Sequence, residues 1–160
     1  MEGKKTQPRA LLVFGAPCSG KTTFCEKFAK KFNLAYFNLA ALKEQYNLSH
    51  KLILMLVEQL AKTNQTIIIE GELDTEKDRE EIRQLFRLAG YKPYTIWIQT
   101  DVATIRLRLK MRHKSIIKAK EAYDSAINRL EAPSDMENPI ILSGKHTFET
   151  QVKHILASLA

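Results

Sequence analysis

Cysteine is scarce in this chain: only Cys18 and Cys25 occur among 160 residues. Two thiols so close together exclude a disulfide framework and a thiolate metal cluster, and they point to a reduced, cytoplasmic protein. Long apolar runs are absent as well. The run Ala10–Phe14 is stopped by Gly15 and Pro17, and the stretch Met1–Lys5 before it is polar. Neither a signal peptide nor a membrane segment is expected, and no membrane partner. Histidine is limited to His50, His113, His146 and His154, whose spacing suits neither a zinc site nor a catalytic triad. The single tryptophan, Trp97, lies in an apolar run and is expected in the core. With no internal repeat and no low-complexity linker, residues 1–160 are expected to form one domain.

Acids are outnumbered, 18 against 25 lysines and arginines, for a net charge of +7. The distribution is uneven. Residues 70–81 hold seven acids (Glu70, Glu72, Asp74, Glu76, Asp78, Glu80, Glu81). Residues 102–130 hold eight bases, from Arg106 to Arg129, and the segment 106–120 is the densest part. A basic segment of this kind clamps phosphates or recruits nucleic acid, and otherwise forms a solvated helix face.

What the chain does have is Gly15-Ala16-Pro17-Cys18-Ser19-Gly20-Lys21-Thr22, the phosphate-binding pattern G-x-x-x-x-G-K-[ST]. A short apolar strand precedes it and a helical stretch, Thr23 to Asn33, follows, which is the order that the chemistry requires. Backbone N–H groups in such a loop, and the positive end of the helix behind it, hold the phosphates of a nucleoside triphosphate. Lys21 is expected to reach the β- and γ-phosphates, Thr22 to offer its hydroxyl to Mg²⁺, and Thr23 to add a phosphate contact.

Beyond the loop, apolar runs alternate with helical stretches. Leu34–Asn38, Thr66–Glu70, Tyr94–Gln99 and Pro139–Leu142 read as further strands. Ser49 caps a helix with Leu52, Leu56, Val57 and Leu60 at helical spacing, and the run Leu52–Val57 is a buried face or a dimer surface. Thr75 caps a helix with Ile82, Leu85, Phe86 and Leu88, ended by Gly90. Asp101 caps a helix through Arg112, and Lys114–Glu131 forms a less apolar helix that reads as a mobile lid over about 112–133. Ser143–His146 is a loop, and Thr147–Ala160 a closing amphipathic helix. The expectation is an α/β protein: a five-stranded parallel sheet sandwiched between helices in three layers, with a helical lid.

The phosphate loop, the strand ending Ile67-Ile68-Ile69-Glu70-Gly71-Glu72-Leu73 with Arg79 beyond, and Arg108-Leu109-Lys110-Met111-Arg112 after the fourth strand carry a resemblance. From about residue 9 onward the chain resembles P-loop kinases of the nucleoside and nucleotide kinase group, most of all polynucleotide kinases and zeta-toxin-like, AAA-type ATPases. The resemblance implies transfer of the γ-phosphoryl group of ATP to a hydroxyl of a small molecule, a nucleotide or a nucleic-acid end. It implies that Glu70 stands near Mg²⁺, that Glu70 or Glu72 assists in deprotonating the acceptor, and that Arg108 and Arg112 stack on adenine or neutralise the transferring phosphoryl group. It also implies an adenine pocket lined by Ser143, Gly144 and Lys145. No Asn-Lys-x-Asp sequence is present to read guanine, which favours ATP over GTP.

The chain departs from the family after the second strand. Ala40 or Ala41 stands where many members carry an acid that activates the acceptor, Lys43 stands in place of an arginine, and Cys18 replaces a frequent loop glycine. The missing acid keeps a second reading open: a module that binds or slowly hydrolyses ATP and recruits nucleic acid or a protein.

Overall fold

A computed structural model describes residues 7–112 and 114–160. Met1–Lys5 and His113, noted above, lie outside that range. Strand β1, Arg9–Phe14, is buried at five consecutive positions, as a strand covered on both faces must be. It is the centre of a five-stranded, all-parallel sheet in the order β2-β3-β1-β4-β5, with β2 at Ala35–Asn38, β3 at Ile67–Glu70, β4 at Lys92–Gln99 and β5 at Ile140–Ser143. The register sets Glu70 level with Val13 on one side and Asn38 on the other.

Alternation along the strands sorts the core into two layers. On one face Leu12, Phe14, Ile67 and Ile69 pack with Ile53 and Val57 of α3 (His50–Ala61) and with Ile82 and Phe86 of α4 (Glu76–Leu88). On the other, Leu11, Val13, Ile68, Ile96 and Ile98 meet Phe24 and Phe28 of α1 (Lys21–Phe32) and Val152 and Ile155 of α7 (Phe148–Leu159). The expected three-layer α/β/α sandwich is therefore present. A smaller cluster joins Ala16 to Ile105 and Leu109 of α5 (Val102–Arg112) and to Ala119 of α6 (Ile116–Arg129). No helix among the described residues is long and apolar enough to cross a membrane.

Several apolar positions differ from the periodicity. Leu52 and Met55 are about half exposed, because α3 turns Ile53 and Val57 inward instead. Leu88 is 78% exposed at the end of α4, past the last turn that meets the sheet. An eight-residue helix, α2 (Leu39–Tyr46), holds the segment in which the chain departs from the family; Asn38 caps it by accepting from the Ala41 N–H. Trp97 is partly buried and stacks on Phe14, with ring centroids 6.0 Å apart.

Arg79 is the least expected member of the core. Its side chain is fully buried in α4, lies 4.4 Å over the Phe14 ring and uses all of its donor groups. Nε and Nη2 donate to the Glu137 carboxylate at 2.7 and 3.0 Å, Nη1 donates to the carbonyls of Leu73, Asp74 and Glu131, and Nη2 also reaches that of Ala132. The planar five-donor fork matches this set of acceptors, which an ammonium could not. Neighbouring Arg83 donates to Thr95 and to the Glu137 carbonyl. Removing one partner strands the other charge in the core, so Glu137→Ala is expected to cost about 3–5 kcal/mol in urea unfolding. Glu137→Ala with Arg79→Met is expected to recover part of that loss.

Candidate functional site

Each strand delivers its chemistry at the carboxyl edge of the sheet, where open α/β sheets bind ligands beside the point at which strand order reverses. The loop from Gly15 to Gly20 leaves the end of β1 and feeds α1. Gly15, at φ 153°, lies so close to the Ile98 carbonyl that any Cβ would collide with it. Gly20 caps α1 at φ 102° and has no side chain to accept from the first-turn N–H groups, so these remain available to an anion. The Ser19 hydroxyl is buried with no partner, a further polar group aimed at this loop. These features fit a bound phosphate chain. The Lys21 ammonium donates to the Ala16 carbonyl at 2.9 Å, and burial pushes its pKa down against the opposing pull of Glu70 and Asp74.

Glu70 is buried at the end of β3, and both of its carboxylate oxygens are occupied. Oε1 accepts from the Thr22 hydroxyl at 2.7 Å and Oε2 from the Tyr36 hydroxyl at 2.6 Å. Burial raises the Tyr36 pKa, and its bond to Glu70 raises it further, so the phenol stays a donor. The hydroxyl of Thr22 and the carboxylate of Glu70 form a hard oxygen pair of the kind that suits Mg²⁺. Tyr36 escaped sequence reasoning: it lies on a neighbouring strand, and only the pairing of Tyr36 with Ile68 in register brings its side chain near Glu70.

The strand does not continue to Glu72 as a straight extension. Gly71 turns at φ 83° and Glu72 itself sits at φ 58°, a conformation that costs a non-glycine residue energy and is found mostly where surroundings impose it. In this conformation Lys43 of α2 donates to Glu72 Oε2 at 2.7 Å. Glu72 lines a cleft of about 530 Å³ together with Lys21, Glu70, Ala40, Ala41 and Pro17. Arg129 and Leu130, at the end of α6, close its far side, with Arg129 bonded to Asp74 at 2.8 Å.

A second cleft opens on the other side of the loop. Cys18, Gly20, Thr23, Arg108, Arg112 and Gly144 line it, so the two arginines expected to work together do share a surface. His146, Phe148 and Lys27 line it too, and none of the three was singled out from the sequence as part of a site. The Arg108 guanidinium donates to the carbonyls of Cys18 and Gly144 at 3.0 and 3.3 Å, tying the phosphate loop to the loop after β5. Thr100 adds a bond to the Ser19 carbonyl. Ser143 and Lys145 face elsewhere: the Ser143 carbonyl accepts from Gln151, and Lys145 reaches Asp101 at 3.1 Å, so both line the neighbouring groove beside Trp97. The Asp101 carboxylate is held well below the usual range by its cap bonds from Thr104 and by Lys145.

The family model described as "ATPase family associated with various cellular activities (AAA)" matches residues 11–88. No curated protein sequence matches the chain. Among solved structures, a gluconokinase from Sinorhizobium meliloti 1021 is 15% identical with a TM-score of 0.73, covering 95% of this chain and 91% of that one. Kti12 of Chaetomium thermophilum in complex with ADP-AlF3 is 16% identical with a TM-score of 0.74, covering 94% and 96%. The APS kinase of Mycobacterium tuberculosis in complex with AMPPNP and APS is 14% identical with a TM-score of 0.66, covering 96% and 98%. At such identities the likeness is one of fold, and it agrees with the phosphate loop at the end of the central strand: this chain is a P-loop protein of nucleotide-kinase-like fold.

Proposed function

We propose that this single-domain protein is an ATP- and Mg²⁺-dependent kinase whose donor lies in the cleft of Arg108 and Arg112 and whose acceptor lies in the cleft of Glu72. The observation that carries the reading is the bonding of Glu70 to Thr22, one residue from Lys21, at the seam between the two clefts. Gluconokinase and APS kinase, named as kinases, share the fold and support the reaction class. Mg²⁺, held between Thr22 and Glu70, would supply charge neutralisation on the phosphates. Backbone N–H groups of the loop would hold the β- and γ-phosphates, with Lys21 leaving Ala16 to join them. Arg108, Arg112 and Gly144 would flank adenine, and helix α6 would act as a lid, keeping water from competing with the acceptor.

The acceptor oxygen would attack the γ-phosphorus, the bond to the β–γ bridging oxygen would break, and ADP would leave. Glu72 would take the acceptor's proton, since both oxygens of Glu70 already accept hydrogen bonds. The acid absent at Ala40–Ala41 is thus replaced from the opposite wall, and Lys43 orients it in place of an arginine. A module that holds ATP and recruits nucleic acid through the exposed bases of 106–120 is the competing reading, motivated by those two alanines.

Lys21→Ala is expected to abolish acceptor-dependent ADP release with an unchanged circular dichroism spectrum; undiminished turnover would sink the assignment. Glu72→Gln is expected to slow transfer by ~10²–10⁴ while leaving ATP affinity in calorimetry intact. ATP binding with no ADP release from the parent protein, over a panel of acceptors, would favour the binding module instead. Tyr36→Phe removes one bond to a charged group, about 1.5–3 kcal/mol of Glu70 positioning, and is expected to raise the Mg²⁺ concentration for half-maximal activity roughly tenfold or more.

A further inference from the structure

The phosphate site uses only one side of the helix pair α5–α6. Ile105, Leu109 and Ala119 are buried with Ala16 of the phosphate loop, and Arg108 and Arg112 line the cleft beside Gly20 and Gly144. The rest of the pair is turned outward and combines two kinds of side chain. Leu107, Met111, Ile116 and Ile117, in the last two turns of α5 and at the start of α6, are between 61% and 80% exposed. Among them stand Arg106, Lys110, Lys114, Lys118 and Lys120, all exposed, and none of the five makes an ion pair among the described residues. Between Asp101 and Glu121 the chain holds no acid. A groove of about 290 Å³ between the two helices repeats the combination: buried Leu109 and Ala119 line it with exposed Arg106, Lys110 and Lys120, against the carboxylate of Asp124.

We propose that this outer surface of α5 and α6 docks on an anionic phospholipid bilayer, with Met111, Ile116 and Ile117 entering the interface and the five cations resting on the headgroups. The proposal does not depend on the kinase reading. Aliphatic side chains held in water gain free energy when they enter an apolar phase, and lysine and arginine stems lie along such a surface while their charged ends stay at the phosphates. An outward set of unpaired cations complements a surface of one negative sign. Apolar side chains interleaved with those cations are the composition of a helix that lies in a bilayer interface. Nucleic acid would satisfy the cations and leave Met111, Ile116 and Ile117 in water. An acidic peptide would seat its anchors in the groove, whereas Leu107, Met111 and Ile117 lie outside it. A contact of this kind needs no spanning helix, so the expectation of no membrane partner, which rested on the lack of one, does not apply to it.

The test is co-sedimentation of the intact protein with vesicles of phosphatidylcholine alone and of phosphatidylcholine mixed equally with phosphatidylserine, at physiological salt. Binding to the mixed vesicles roughly tenfold or more tighter than to phosphatidylcholine is expected. Met111→Ser with Ile117→Ser is expected to weaken that binding about tenfold with an unchanged circular dichroism spectrum, and Lys110→Glu with Lys118→Glu to abolish it. Neither pair lines the clefts beside the phosphate loop, so ATP affinity in calorimetry is expected to stay that of the parent protein in both. Equal binding to the two kinds of vesicle, or binding to neither, overturns the proposal. Binding to the mixed vesicles that the serine pair leaves intact overturns it too, because attraction between charges alone then accounts for the contact. A single-stranded oligonucleotide or polyglutamate bound more tightly than the mixed vesicles, and equally by the serine pair, overturns lipid docking and assigns the surface to nucleic acid or to an acidic protein.

Discussion

A single buried guanidinium holds together the segments that form the acid-lined cleft. Arg79 bonds to the carbonyls of Leu73 and Asp74, which follow Glu72, and to those of Glu131 and Ala132, which follow Arg129. It therefore ties the two walls of the acid-lined cleft to one point in α4. Glu137 completes the set and brings the approach to β5 to the same place. Two backbone-level contacts reinforce the junction: the Glu131 N–H donates to the Asp74 carbonyl, and the Glu76 N–H to the Glu131 carboxylate. A charge this deeply buried is tolerable only when every donor is used, and each acceptor it uses is a segment whose position is thereby set.

Electrostatics divides the site along the phosphate loop. Glu70 stands at the division, because its two oxygens link the start of α1 to β2 through Thr22 and Tyr36. On one side Arg108 joins the phosphate loop to the loop after β5 and lines the cleft it shares with Arg112. On the other side Glu44, Glu70, Glu72 and Asp74 line the cleft against Lys21 and Arg129, and Arg129 is paired with Asp74. Net charge of the whole chain, +7, describes neither side. Local sign, set by which helices meet at which strand ends, is what a ligand would encounter.

The fold was largely legible. Each of the five strands was marked by a short apolar run, and the caps at Ser49, Thr75 and Asp101 each accept the N–H three residues on, the bond that defines a helix start. Legibility failed where a side chain's surroundings come from distant segments. Helical spacing alone does not rank Leu52 against Ile53 for burial, and Arg79 has the composition of a solvated residue until Glu137 is placed beside it. Nor does the loop Ser143–His146 by itself show that Lys145 reaches the Asp101 carboxylate. Tyr36 carried no motif at all.

The amino-acid order by itself determined the phosphate loop, its glycines and the strand-loop-helix unit around it, because those depend on backbone conformations and hydrogen bonds between residues near in sequence. It also determined that Glu70 ends a strand. Only the tertiary structure decided that Tyr36 and Thr22 share the Glu70 carboxylate, that Lys43 meets Glu72, and which side chains line the two clefts. Those facts depend on strand order, register and the crossing of segments far apart in the chain, and such contacts have no local signature for a sequence to display.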